Sequence, residues 1–269
     1  MIKNIIFLLI PLILLLSCAD KKETEKGVID LESVSWPIFR GDQGLSGVAD
    51  CELPDNLKLL WSFQTESAIV SSPAIGFGLV YIGSTDGKLY AVSLADGSKV
   101  WEYDTGDDIE ASPLIVGRNI YIGNLSGELF SINARTGQVN WKNKIMRDIY
   151  GSTNFAVGPD SQDTLLFVGS YDNQMYCLDA KSGELIWTYE TDNYINGAPA
   201  TDGSTIIFGG CDSKLHIVSA IDGSKVGEVL TDSYIPGSAV LAEGRAYLGH
   251  YGNKLICIDV DKQEIVWEF

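Results

Sequence analysis

Trp61, Trp101 and Trp141 stand forty residues apart, Trp187 follows after forty-six, and Trp267 lies eighty beyond that, with Gly227 at the midpoint where another tryptophan would fall. A glycine column (Gly83, Gly123, Gly169, Gly209, Gly249) and an isoleucine column (Ile69, Ile109, Ile149, Ile195, Ile235) keep the same register. The six-residue excess therefore lies between Ile149 and Gly169, where Gly158-Pro-Asp-Ser-Gln-Asp-Thr164 reads as a loop. A tandem repeat of this length is one supersecondary unit that cannot bury its own faces and must stack on its neighbours.

Each unit reads as four short strands. In the first these are Val70 to Ile75, Leu79 to Gly83, Lys88 to Leu94 and Ser98 to Tyr103, with turns at Thr85-Asp86-Gly87 and Ala95-Asp96-Gly97. The segments are rich in Val, Ile, Leu and Tyr and show no 3.6-residue period. Four strands per forty residues predict an all-β fold, a β-propeller of four-stranded blades with five repeats visible. The repeated tryptophans, Trp61, Trp101, Trp141, Trp187 and Trp267, suit a wedge between adjacent blades, since one buried aromatic covers ~150–250 Å². Small residues recur where strands would crowd the axis: Ser71-Ser72, Ala111-Ser112, Gly151-Ser152, Gly197-Ala198 and Gly237-Ser238.

The segment Ala91-Val-Ser-Leu-Ala-Asp-Gly97-Ser-Lys-Val-Trp101 recurs as Ser131 to Trp141 and as Cys177 to Trp187. It resembles the Ala-x-Asp-x-x-Thr-Gly-x-x-x-Trp signature of PQQ-like propeller repeats. Two later copies depart from it: Ile217 to Gly227 lacks the tryptophan, and Cys257 to Trp267 carries Gln263 in place of glycine. Trp36-Pro-Ile-Phe-Arg-Gly41, followed by Gly44 and Gly47, resembles the lead-in segment of the same family. The resemblance covers Trp36 to Phe269 and speaks for the fold more than for function, since one fold hosts many functions.

Two branches of that family frame the expectations. Quinoprotein dehydrogenases bind pyrroloquinoline quinone and calcium; the resemblance would then imply an adjacent cysteine pair, which this chain lacks, and a longer eight-bladed core. Their calcium carboxylates match no segment here. The other branch is similar to BamB, the non-catalytic lipoprotein scaffold of outer-membrane β-barrel assembly. The bare repeats look like this second branch, which implies no cofactor and no catalytic residue. A quinone-dependent dehydrogenase, or a fragment of one, and a cell-surface ligand- or carbohydrate-binding protein are the alternatives.

The N-terminus adds an address. Lys3 precedes an apolar run from Ile5 to Leu16, interrupted by Pro11. As a helix that run reaches ~18 Å, short of a ~30 Å hydrocarbon core, and so reads as a signal-peptide core rather than a span. Leu15-Leu16-Ser17-Cys18 resembles a bacterial lipobox, which makes Cys18 the lipid-carrying residue after removal of residues 1–17. Residues 18–35 read as a polar tether and 36–269 as the propeller. The expected location is the cell envelope, anchored by lipid in the outer membrane.

Net charge is −17, which argues against binding nucleic acid. If the tryptophan strand is outermost, the loops returning to the axis share one face with the turns after the glycine column. That face collects Glu66, Asp107, Asp108, Glu110, Asp148, Asp192 and Asp232, with Tyr150, Tyr171, Tyr194, Tyr234 and Tyr251. The candidate binding rim is Asp108, Asp148, Tyr150, Tyr171, Tyr194, Tyr234 and Tyr251, suited to other envelope proteins with basic or apolar segments. No Gly-x-Ser-x-Gly, His-Glu-x-x-His or phosphate-binding glycine loop occurs. His216 and His250 fall in different blades, and Asp160 with Asp163 is too small a set for calcium. Cys177 and Cys257 share a repeat position two blades apart, beyond the ~7 Å Cα separation a disulfide tolerates, so buried free thiols are expected. Lys58 to Phe63 matches an outermost strand whose three inner strands would come from beyond the fifth unit. Such propellers more often close with seven or eight blades, so the chain is expected to form part of a ring.

Overall fold

The computed structural model describes residues 35–49, 51, 53, 55–158 and 163–269. The expected signal segment, Cys18, the tether up to residue 34, and Asp160 lie outside the described residues. The rest forms five four-stranded antiparallel sheets, each a simple meander in chain order. In blade 1 the strands are β1 (Ala74–Gly76), β2 (Leu79–Gly83), β3 (Lys88–Ser93) and β4 (Lys99–Asp104). Blades 2 to 5 span 114–144, 154–190, 200–230 and 240–268. The first strand of each blade is short, two to four residues, because the preceding Ser-Ser-Pro type segments run irregularly past the axis. The six-residue excess opens the hairpin between the first two strands of blade 3, closed by Gly158 N–H donating to Asp163 O at 2.7 Å.

In blade 1 the third strand is buried on both faces from Leu89 to Val92 while β4 alternates, whereas the last strand of blade 5, Glu264–Glu268, is exposed throughout. Between third and fourth strand the register shifts at the same place in every blade, after Ala91, Ser131, Cys177, Ile217 and Cys257. This bulge adds local twist directly beside the position opposite the tryptophan.

Neighbouring blades lock through two contacts. Ile109, Ile149, Ile195 and Ile235 are fully buried against Gly83, Gly123, Gly169 and Gly209 of the blade before, where a Cβ would overlap the isoleucine. At the axis, serines bond across blades: Ser72 N–H donates to Ser112 Oγ (2.9 Å), Ser112 N–H to Ser152 Oγ (3.0 Å), and Ala198 N–H to Ser238 Oγ (2.8 Å). Ile69, with no preceding blade among the described residues, is 48% exposed.

The tryptophans make the second lock near the outer edge. Trp61, Trp101, Trp141 and Trp187 donate Nε1–H to the carbonyls of Leu94, Ala134, Ala180 and Ala220 in the next blade, at 3.0 to 3.3 Å. Each ring covers a turn glycine there, Gly97, Gly137, Gly183 or Gly223, so closely that a Cβ would lie 2.7–2.9 Å from ring carbons. Those glycines have φ between +71° and +75°, which L side chains rarely adopt. Lys58 to Phe63 departs from expectation: it forms no sheet ladder, though Trp61 still caps blade 1. Among the described residues no inner strands lie beside it for its backbone to pair with. Trp267 is 39% exposed and covers no such glycine among the described residues.

The lead-in segment is the hub. Trp36 exchanges two 2.9 Å backbone bonds with Ile75 of blade 1, and Pro37 O accepts from Ile115 N–H of blade 2. Gln43 Nε2 donates to Phe155 O of blade 3 (2.7 Å), while Gln43 O accepts from Asn154 Nδ2 and from Thr201 N–H of blade 4. Gly44 O accepts from Leu241 N–H of blade 5 at 2.8 Å. One stretch thus satisfies backbone groups of all five innermost strands, which otherwise would face the axis unpaired. Ile38 and Leu45 anchor it, 1% and 0% exposed.

Candidate functional site

The loop face is framed by rigid turns between the second and third strands. Asp86, Asp172 and Asp212 each accept from the backbone N–H two residues on, then receive a second donor from the following strand: Tyr90 OH (2.8 Å), Tyr176 OH and His216 Nε2 (2.8 Å) respectively. Burial would raise the Asp212 carboxyl, but the His216 hydrogen bond and charge bring it below the usual carboxylate range. Tyr189 OH bonds the other nitrogen of His216, whose side chain is buried. His216 is thereby absorbed in the turn's architecture, and His250 bonds the Gly252 N–H of its own turn.

Above these turns the tyrosines of blades 3 and 4 stack. The rings of Tyr150 and Tyr171 are 4.4 Å apart, and those of Tyr171 and Tyr194 are 4.9 Å apart and nearly parallel at 8°. Backbone bonds fix the ladder: Tyr171 N–H donates to Asp148 O (3.1 Å) and Cys211 N–H to Tyr194 O (2.9 Å). Burial, and then the neighbouring carboxylates Asp148 and Glu110, hold the Tyr150 hydroxyl above its ordinary range. Tyr171 is raised by burial and by Tyr150, Cys211 and the same carboxylates. Both phenols therefore stay neutral donors. Tyr234 and Tyr251 are joined by a 3.0 Å backbone bond and are 50% and 66% exposed, outside the ladder.

The acidic residues fall into two groups that a count of charges does not separate. Glu66, Asp192 and Asp232 pair with Lys88, Lys214 and Lys254 at 2.9, 2.8 and 3.2 Å, each pair 22 residues apart. In blade 2 the corresponding positions are Gly106 and Glu128, and in blade 3 Met146 and Gln174. There Asp107, Asp108, Glu110 and Asp148 carry no such lysine, and Arg147 stands among them. Met146 is 78% exposed, four residues before Tyr150 on the same loop. The fixed spacing of 22 was the signal that could have revealed the lysine pairs from sequence.

Among the described residues no three His, Cys, Asp or Glu side chains gather as a metal site, and no two cysteines are adjacent. The four described cysteines are free: Cys177 and Cys257 are buried, as expected, Cys211 is half-buried and Cys51 is exposed.

The model of the family described as outer membrane protein assembly factor BamB matches residues 54–157 and again 148–268. The chain belongs to this family. Its fold is similar to the crystal structure of BamB from Moraxella catarrhalis, with a TM-score of 0.66 at 18% identity over 78% of this chain and 66% of that one. It is equally similar to the computationally designed Ika8 protein, with a TM-score of 0.66 at 14% identity over 76% of this chain and 62% of that one. The chain thus spans slightly less than two thirds of either structure, and at these identities the likeness concerns the fold. No curated protein sequence matches. The BamB-type repeat accounts for the five blades.

Proposed function

We propose that this BamB-family chain is a lipid-anchored scaffold of the cell envelope. It holds protein partners of outer-membrane β-barrel assembly against its loop face, with Cys18 as the anchor. The observation that carries this reading is the ladder Tyr150–Tyr171–Tyr194 set beside carboxylates without lysine partners. Stacked tyrosines give rigid contact area at small entropic cost, and Met146 adds an adaptable apolar contact. The carboxylates steer a basic segment toward them, an effect that fades with salt. Paired acids in blades 1, 4 and 5 contribute little of this pull, since a lysine already screens each.

Replacing Tyr171 and Tyr194 together with alanine is expected to weaken capture of barrel-assembly proteins from native membranes by about tenfold or more, as loss of two aromatic anchors does. The melting temperature should change little, because both residues lie on loops. Undiminished capture would remove the ladder from the interface.

A further inference from the structure

On the face opposite the tyrosines, blades 2 and 3 enclose a cleft of about 440 Å³. Its lining departs from the repeat. Opposite the tryptophan position the blades carry Ala91, Cys177, Ile217 and Cys257, but blade 2 carries Ser131. One residue before the tryptophan position they carry Val100, Ile186, Val226 and Val266, but blade 2 carries Asn140. These two polar substitutions meet: Asn140 Nδ2 donates to Ser131 Oγ at 3.2 Å and to Asn119 Oδ1 at 3.1 Å. Tyr121, whose hydroxyl donates to Ala180 O across the blade boundary, closes the floor with Ser131, both essentially buried.

The rim of the cleft carries charges of both signs, two basic and two acidic residues. Arg118 and Lys181 line it, and among the described residues neither is engaged in an ion pair. Asp163 and Asp179 also line it, but Asp179 Oδ1 is taken by the N–H and hydroxyl of Ser182 at 2.6 and 2.7 Å. The volume far exceeds the ~30 Å³ share of one water and falls within the range of small-molecule sites. Amides and hydroxyls that both donate and accept suit a polyhydroxylated molecule. A free guanidinium suits a carboxylate or phosphate, which it can bind through two parallel hydrogen bonds.

We propose that this cleft binds a small hydroxylated anion: a monosaccharide-sized molecule bearing a carboxylate or a phosphate. The site is independent of the loop face and of any protein bound there. Calorimetric titration of the purified full chain with glucuronate, glucose 6-phosphate, glucose and inorganic phosphate tests it. Glucuronate or glucose 6-phosphate should saturate a single site, and which of them binds tells the carboxylate source from the phosphate source. Glucose and inorganic phosphate should each bind about tenfold more weakly or worse, each lacking half of the recognised chemistry. Asn140→Val, which restores the residue type of the other blades, and Arg118→Gln should each weaken binding about tenfold at an unchanged melting temperature. Binding by neither acidic sugar, equal binding of glucose or phosphate, or affinity that survives both substitutions would overturn the proposal.

Discussion

Leu45→Ala should lower the unfolding free energy by about 2–5 kcal/mol, the range for deleting a fully buried leucine, and denaturant melts will read it directly. Leu45 is 0% exposed and packs with the inner residues of blades 4 and 5, among them Ala200, Ala239 and Ala246. The loss extends beyond its own contacts, because Leu45 seats the stretch whose Gln43 and Gly44 hold blades 3, 4 and 5 together. Blades in a repeat array otherwise touch only their neighbours, so cooperativity depends on nearest-neighbour terms. A hub that bonds all five adds a connection that skips along the array. Gly44→Val tests the same point by a different route, since any Cβ at Gly44 overlaps the Leu241 carbonyl oxygen. Leu57→Ala, at a residue 72% exposed, should stay within about 0.5 kcal/mol of the parent and serves as the control. A loss below about 1 kcal/mol for Leu45→Ala would mean that the hub is only laid over the blades, well short of the cost of a buried leucine.

The second large effect lies at the blade 4–5 boundary. Here Gly227 replaces the tryptophan, Gln263 replaces the turn glycine, and Ile207 stands where Tyr81, Tyr121, Phe167 and Tyr247 pair with tryptophans elsewhere. The two departures compensate: the Gln263 side chain fills the space over Gly227, where a Cβ would overlap it, and Gln263 Nε2 donates to Val226 O at 3.2 Å. The lock is inverted, with the large residue on the turn and the small one on the strand. Gly227→Trp alone should therefore destabilise by about 1–3 kcal/mol through overpacking. Adding Gln263→Gly vacates the space and relieves a non-glycine residue at φ +59°. The double variant should recover the loss, giving a coupling energy of about 1–3 kcal/mol in a double-mutant cycle. Additive effects would show that the two positions changed independently.

Strand count, blade boundaries and the site of the six-residue insertion were legible because each is a matter of period, and period survives in a single sequence. The hub was legible only as a lead-in motif. Its contacts join residues as far apart as Arg40 and Ser238, 198 positions, and no local pattern records them. The tyrosines could be placed on one face by repeat position, but not divided into a stacked trio and a separate pair. That division follows from Tyr150 standing one residue after the repeated isoleucine, where Tyr194 and Tyr234 stand one before it, and from Cys211 occupying the turn position that Tyr171 and Tyr251 hold in blades 3 and 5. The missing tryptophan and missing glycine read as two weakened copies of a motif; as neighbours in space they are one compensated exchange. Lys58 to Phe63 matched a strand by sequence and forms none, because strand identity needs a partner as well as a pattern.

Site-specific photo-crosslinking in intact cells tests the central claim most directly. A photoreactive phenylalanine analogue at Tyr194, 40% exposed at the end of the ladder, should give a discrete adduct with a component of outer-membrane β-barrel assembly. The same analogue at Val139, on the outer strand of blade 2, should give none. An adduct at Val139 with none at Tyr194 would contradict the account by moving the partner off the tyrosine face.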